Sequence, residues 1–577
     1  MNSKNITIKW RLYFVAIVIF VVAFAIEARL YFLQVIEHDE YVDLADRQYS
    51  SGVRKLFDRG SIYFTSKNGS DIAAATLKIG YNVVINPSVI ETPEDIYNNL
   101  SFDLALDVED FLARAGKTND PYEELAKRIE PELGEKIRSK NLPGVNVEKE
   151  KWRFYPGKEL ASQTIGFMAY DHENKFRGQY GLERYYDETL DRTDVQVFKN
   201  FFVEIFSNIK NIWVKDSTTK GSLYLTIEPV AQGFVEKELE ALSKKYNPKK
   251  VGAIVMNPMN GEIISMAINP TFDLNEFNLV DDPAIFQNNM VESVYEMGSI
   301  MKPVTMAIGL DEGVVTARST YNDKGSLTMD GYTFYNFDKK ARGVVNMQEV
   351  LNQSLNTGVA HVVSLLGKTF PQKMKNIFGT KTGVDLPNEV TNLIRNLDSN
   401  VAIEYATASF GQGIAVSPIA MVTALASLGN GGLLVQPHLV KKIEYQSGLS
   451  HEIEAREPVQ IFKKETSEEI SRMLTRVVDE ALRKGQVAMP QYSIAAKTGT
   501  AQIPQPGGGY YSDRYLHSFF GYFPSYDPKF IVFLYIIEPR GAEYASETLT
   551  DSFIDITKFL INYYEIPPDR SAVVKET

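Results

Sequence analysis

Residues Leu12 to Ile26 form an uninterrupted run without a charge, preceded by Lys4, Lys9 and Arg11. This run constrains the chain more than any other feature, because it must be buried in a core, cut away, or placed in a lipid bilayer. Ala23-Phe24-Ala25 has the small-x-small shape of a signal cleavage site, but it lies inside the apolar run with no Gly or Pro beside it. The apolar pattern also continues past Glu27 and Arg29 through Leu30-Tyr31-Phe32-Leu33 to Ile36. A helix over residues 12–36 covers a ~30 Å hydrocarbon core with its only charges near the far interface. An uncleaved anchor therefore stands ahead of a cleaved signal, and both stand ahead of a core helix. The basic residues then leave 1–11 as a cytoplasmic tail and export the rest.

Composition narrows what the exported part can do. The 577 residues are 44% hydrophobic and carry a formal charge of −12, a globular rather than a disordered balance. A net acidic chain is poorly suited to nucleic acid, which is bound through basic patches, and none is expected as a partner. The absence of Cys excludes disulfides, thiolate nucleophiles and Cys-ligated metal. With six His and no H-x-x-x-H pair, a metallohydrolase is not indicated, and no metal or cofactor is expected.

Residues 37–215 are charge-rich and mixed, with a strand-like alternation at 80–85 and a helix start at Thr92-Pro93-Glu94-Asp95. Residues 216–222 complete a polar, apolar-free stretch and read as a linker. From 223 to 565 the texture is that of a compact α/β enzyme. Strands are predicted at 223–227, 252–256, 262–268 and 530–537, with helical stretches between, such as 419–428. The last strand is eight apolar residues, mostly β-branched or aromatic, and reads as central and fully buried. Strands at both ends of the segment imply one sheet built from distant pieces. Residues 566–577, beginning at Ile566-Pro567-Pro568, read as a disordered tail.

The chemistry lies in three short patterns. S-x-x-K occurs at Ser207, Ser217 and Ser299, S-x-N at Ser3, Ser66, Ser139 and Ser354, and K-T-G at Lys381 and Lys497. The first two patterns are individually uninformative, whereas K-T-G is expected by chance only about 0.1 times in such a chain. Ser299, Ser354 and Lys497 fall in order within the α/β zone, the order of the serine-acylating penicillin-binding proteins and class A β-lactamases. Pro303 is tolerated only in a first helical turn, so it places Ser299 at a helix start, where free N–H groups favour an oxyanion. The spacing of three puts Lys302 on the hydroxyl's face as a base, provided that burial or a nearby cation lowers its pKa. Lys497 supplies that cation, Ser354 bridges the two ammonium groups, and the Asn356 amide binds a substrate carbonyl. Gly499 lets a substrate backbone lie against the strand, and the Thr498 and Thr500 hydroxyls hold a carboxylate. Lys497 follows a short β-like run from Tyr492 to Ala496, and its strand is succeeded by a Pro/Gly-rich loop at 504–509 and a second strand at 516–523, a hairpin on a sheet edge.

With these motifs the chain resembles the class B penicillin-binding proteins, membrane-anchored peptidoglycan transpeptidases, over nearly its whole length. Arg59-Gly-Ser-Ile62, Arg153-Phe-Tyr-Pro156, Gln163-Thr-Ile-Gly166 and Gly181-Leu-Glu183 resemble the family's pedestal motifs. Pro270-Thr-Phe-Asp273, Tyr295-Glu-Met-Gly-Ser299, Ser409-Phe-Gly-Gln-Gly413, Asn430-Gly-Gly432 and Lys497-Thr-Gly-Thr-Ala-Gln502 resemble its transpeptidase motifs. Met297 departs from the family's usual Pro, and 63–67 depart from its usual D-R before N-G. The second K-T-G, Lys381-Thr-Gly-Val-Asp-Leu-Pro387, resembles a structural segment of the same family.

The resemblance implies a penicillin-binding transpeptidase fold of α/β (α+β) type, with a mixed sheet and helices on both sides. An elongated α+β pedestal of dimerisation type and one transmembrane helix precede it. It implies that Ser299 attacks the penultimate D-Ala of a stem peptide, with the oxyanion between the N–H groups of Ser299 and Thr500. An amino group of a second stem then resolves the acyl-enzyme into a cross-link, and β-lactams stall at the ester. The implied partners are stem peptides, β-lactams, a membrane-embedded glycosyltransferase and the division or elongation machinery, with the membrane itself through the N-terminal helix. The layout and the S-F-G-Q-G form favour septal over elongation synthesis. A β-lactamase has no use for the pedestal, and a β-lactam sensor needs more membrane spans. A scaffold that has lost turnover is the rival from another class, against which the intact motifs argue.

Overall fold

The computed structural model describes residues 57–192 and 219–571. The anchor at 12–36 lies outside the described residues, as do 216–218 of the linker. Among the described residues no helix is long and apolar enough to cross a membrane.

The chain divides into two compact units, residues 80–151 and residues 58–79 together with 152 onward. In the smaller unit, the end of strand Asp71–Ile85 pairs antiparallel with Glu123–Ile129. Val83 and Ile85 pack against Ile96, Leu100, Phe111 and Ile137 from three short helices. The first of these, Pro93–Leu100, begins where the Thr92-Pro93 signal places it, with Glu94 and Asp95 in its first turn, although the Thr92 side chain makes no cap bond. The second, Val108–Ala115, is capped by the Asp107 carboxylate on the Asp110 N–H.

The larger unit is built around two sheets, with smaller two-stranded ones beside them. One is mixed: Ile62–Thr65 runs parallel to Gly221–Leu225 and antiparallel to the start of Asp71–Ile85, and Val440–Tyr445 lies on the far side. Gly221 and Ser222, read as linker, thus begin a strand. Gly60 allows this closeness, since a Cβ there would stand 1.8 Å from the Gly221 carbonyl oxygen. The second sheet is antiparallel throughout, in the order Ala495–Pro504, Tyr510–Phe523, Phe530–Ile537, Lys250–Met256, Ile263–Asn269. The apolar run at 530–537 is the central strand, buried on both faces as its composition requires.

Period-two alternation assigns its side chains to two cores. Val532, Leu534 and Ile536 meet helices Pro229–Tyr246 and Thr550–Tyr563 through Val235, Leu239, Ile556 and Leu560. Ile531, Phe533 and Tyr535 face the larger core containing Ile300 and Val304. Each such side chain contributes about 1.5–3 kcal/mol on burial. Four of the pedestal motif residues meet in this unit. The buried Glu183 carboxylate accepts from Arg59 Nε at 2.7 Å and Arg153 Nε at 2.6 Å, and Arg153 also donates to the Gly60 carbonyl. Gln163 donates to the Pro270 carbonyl at 2.9 Å, tying that motif to Pro270-Thr-Phe-Asp273.

Residues 566–571, read as the start of a disordered tail, are instead held to the body. Asp569 accepts from Ser493 N at 2.8 Å and Arg570 pairs with Asp479. The same contact explains a shift in strand boundary. Ser493 is engaged by Asp569, so the run predicted from Tyr492 becomes a strand only at Ala495.

Candidate active site

A 3₁₀ turn, Gly298–Met301, leads into the buried helix Lys302–Asp311 with Pro303 in its first turn, so Ser299 stands at a helix start as the Pro signal requires. Gly298 has φ +63°, and a Cβ there would meet the Thr500 carbonyl oxygen at 2.8 Å. Lys302 lies on the first helical residue and is 1% exposed. Its Nζ donates to the Ser354 backbone carbonyl at 2.5 Å and to the Ser354 hydroxyl at 3.1 Å.

Ser354 occupies the turn between helices Met347–Asn352 and Asn356–Leu366. It adopts φ +54°, a left-handed conformation unusual for a residue with a Cβ, and strain of this kind gathers at functional sites. Lys497 comes from the opposite side, on the edge strand Ala495–Pro504. Its Nζ donates to the same Ser354 hydroxyl at 3.0 Å and to the Thr498 carbonyl at 3.2 Å. Two lysines that are 52 and 143 residues from Ser354 thus converge on one oxygen.

The electrostatics follow from that convergence. Burial holds Lys302 well below the usual lysine range, and the neighbouring Lys497 lowers it further. Burial brings Lys497 down to about 8. With Lys302 neutral and Lys497 charged, the Ser354 hydroxyl can accept from Lys497 and donate to Lys302, a continuous path for a proton.

The remaining predicted residues take varied places. The Asn356 amide donates to the Tyr335 carbonyl at 2.8 Å, which fixes its orientation and leaves its second N–H available. The Thr500 hydroxyl accepts from the Ala545 N–H at 3.1 Å, and Thr498 is half-buried on the same strand. Gly499 differs from its sequence reading. It is buried, and a Cβ there would meet Ser518 Oγ at 2.4 Å, the Met297 carbonyl at 2.8 Å and the Ile300 N–H at 3.0 Å. Its missing side chain therefore admits the Ser299 turn. Met297 is buried and its carbonyl accepts from Ser518 Oγ at 2.9 Å, so the turn is held there despite the absent Pro.

Lys381 of the second K-T-G is exposed on a loop. The Thr382 hydroxyl and the Thr382 and Gly383 N–H groups donate to the Glu389 carboxylate, and buried Asp385 accepts from Leu439 and Val440 N–H. This segment is occupied with its own loop. Two contacts near Ser299 had no local sequence signal. Ser518 is one, and Tyr510, whose hydroxyl donates to Glu296 at 2.9 Å, is the other. Only the hairpin register brings them there.

Comparison with known proteins shows the family and the fold. Residues 251–557 match the penicillin binding protein transpeptidase domain, and residues 57–197 match the penicillin-binding protein dimerisation domain. Stage V sporulation protein D of Bacillus subtilis is 30% identical over 94% of this chain and 83% of its own length. A peptidoglycan D,D-transpeptidase FtsI homolog of Mesostigma viride is 27% identical over 98% of each chain. The crystal structure of penicillin binding protein 3 from Mycobacterium tuberculosis, complexed with ampicillin, superposes with a TM-score of 0.67. It is 21% identical and covers 89% of this chain and 96% of that one, a likeness of fold.

Proposed function

The chain belongs to the penicillin-binding protein transpeptidases, and from that premise we propose how its residues run the reaction and where in the cell they run it. The enzyme is a serine-type peptidoglycan D,D-transpeptidase that binds β-lactams. The observation that carries the residue assignment is the convergence of Lys302 and Lys497 on the Ser354 hydroxyl.

Neutral Lys302 takes the Ser299 proton as its Oγ attacks the penultimate D-Ala carbonyl of a stem peptide. The oxyanion is held at the helix start by the Ser299 N–H and, across the cleft, by the Thr500 N–H. The proton passes from Lys302 through Ser354 to the leaving D-Ala nitrogen, and the C–N bond breaks. The free Asn356 N–H holds a substrate carbonyl, and Lys497, Thr498 and Thr500 hold the terminal carboxylate. An amino group of a second stem then attacks the ester, Ser299 regains its proton, and the cross-link is made.

Support for a septal role comes from the S-F-G-Q-G form and the layout, with relatives bearing the FtsI name. Residues 12–36 anchor the protein in the cytoplasmic membrane with the transpeptidase domain outside, beside a membrane-embedded glycosyltransferase. The test of the mechanism is a fluorescent penicillin. The full-length protein forms a covalent adduct mapped by mass spectrometry to Ser299, and Ser299→Ala abolishes it. An adduct on Ser217 instead overturns the assignment. A fluorescent fusion at midcell supports septal synthesis, and one along the side wall replaces it with elongation.

A further inference from the structure

The relay serine sits in a left-handed turn whose local bonds are those of the Leu355 N–H to the Val350 carbonyl at 2.9 Å and the Ser354 N–H to the Leu351 carbonyl at 3.3 Å. The helix that follows it, Asn356–Leu366, has Leu355 at its N-cap and so receives no side-chain cap of its own. Besides these and the two lysines, the side chains flanking Ser354 are held from residues 323–342. On one side, Arg342 Nε donates to Gln353 Oε1 at 2.9 Å. On the other, the Asn336 side-chain carbonyl accepts from the Thr357 N–H at 3.2 Å, and the Thr357 hydroxyl donates to Asp323 at 2.7 Å. Between them, the Tyr335 carbonyl accepts from Asn356.

The hub of these bonds is Asp323, fully buried. Its carboxylate accepts from Thr357, from the Asn336 amide at 3.0 Å, and from the Gly325 and Arg342 N–H groups at 3.0 Å. A buried carboxylate is tolerable when its lone pairs are satisfied in this way, and a helix N-terminus is a favourable place for its charge. Arg342 is in turn fixed by a bidentate pair with Asp338 at 2.8 Å. Three of the four residues nearest Ser354 on the chain that bear polar side chains are therefore held from one outside segment.

We infer that residues 323–342 form a clamp that sets the position of Ser354 between Lys302 and Lys497, with Asp323 as a positioning residue acting through Thr357. Among the described residues the clamp makes no hydrogen bond to either lysine, so its contribution lies in where the relay hydroxyl stands during proton transfer. The inference rests on the mechanism proposed above.

Full-length protein carrying Thr357→Val or Thr357→Ser is to be compared by saturation stopped-flow with a fluorescent penicillin, which separates precovalent affinity from the acylation constant. Valine keeps the shape of Thr357 and loses the hydroxyl bond to Asp323, while serine keeps the bond. The expected result is an acylation constant lowered about tenfold or more in Thr357→Val, with affinity held within about twofold and Thr357→Ser near wild type. Equal acylation constants for valine and wild type overturn the clamp, as does a serine variant that fails as badly as valine. If Thr357→Val unfolds, Gln353→Leu breaks the partly exposed Arg342 contact. A several-fold loss in its acylation constant supports the clamp, and a wild-type value overturns it. A wild-type protein that forms no adduct points instead to failure of the underlying mechanism.

Discussion

Lys302 and Lys497 place two amine-bearing side chains, both almost fully buried, against one hydroxyl, and the expected pH behaviour of the enzyme follows from them. In the proposed mechanism, acylation needs Lys302 without its proton and Lys497 with one. The rate should rise as Lys302 deprotonates and fall as pH passes about 8, where Lys497 loses its charge. Stopped-flow acylation across pH measures both limbs, and a rate that climbs steadily through pH 10 contradicts the assignment. Lys497→Ala should slow acylation about a hundredfold or more, whereas Lys381→Ala, on its exposed loop, should change it less than about threefold. Stability moves the opposite way. Lys497 titrates lower in the folded chain than at its ordinary 10.5, so between about 8 and 10.5 the unfolded chain holds more protons and stability rises with pH. Below that window the penalty is full, on the order of 3 kcal/mol. Lys497→Met should therefore melt a few degrees higher than wild type at pH 7, with the gain fading as pH approaches 10.5. Thermal melts at several pH values check the sign.

At the scale of elements, the site is a strand edge pressed against a helix start. Gly499 is the point of contact, because only hydrogen there admits the Met297 carbonyl and Ile300 N–H of the Ser299 turn. Gly499→Ala should push that turn away from the strand, separating Ser299 from the Thr500 N–H with which the proposed mechanism has it hold the oxyanion. Acylation should fall about tenfold or more and stability by about 1–3 kcal/mol, measured by stopped-flow and denaturant unfolding. An alanine variant with wild-type kinetics removes this role. The elements themselves were legible where local physics decides them. Pro303 marked a helix start, and the run at 530–537 marked a central strand. The K-T-G strand and its loop marked an edge hairpin. Boundaries failed where a distant residue intervened, as at Ser493, which Asp569 holds out of the strand.

For the molecule as a whole, Glu183 joins three segments far apart in the chain. Glu183→Gln leaves Arg153 and Arg59 buried with a weakened acceptor, a loss of about 3–5 kcal/mol. The variant should unfold several degrees earlier, while its folded fraction acylates within about twofold of wild type, because the network does not touch the site. Melting curves read against acylation rates separate these outcomes. The sequence by itself determined the reaction. Ser299 with Lys302 three residues on, Ser354 with Asn356, and a K-T-G on a strand are spacings that local geometry turns into chemistry, and a run of apolar residues at the N-terminus is read as an anchor without any fold. Only the tertiary structure decided which groups hold those residues in place. Gly499 faces the nucleophile turn, Tyr510 reaches Glu296, and Asp323 holds Thr357. None of these has a local signal, because each is a contact between segments whose separation along the chain carries no periodicity, and such contacts exist only once sheet register and helix packing have brought the segments together.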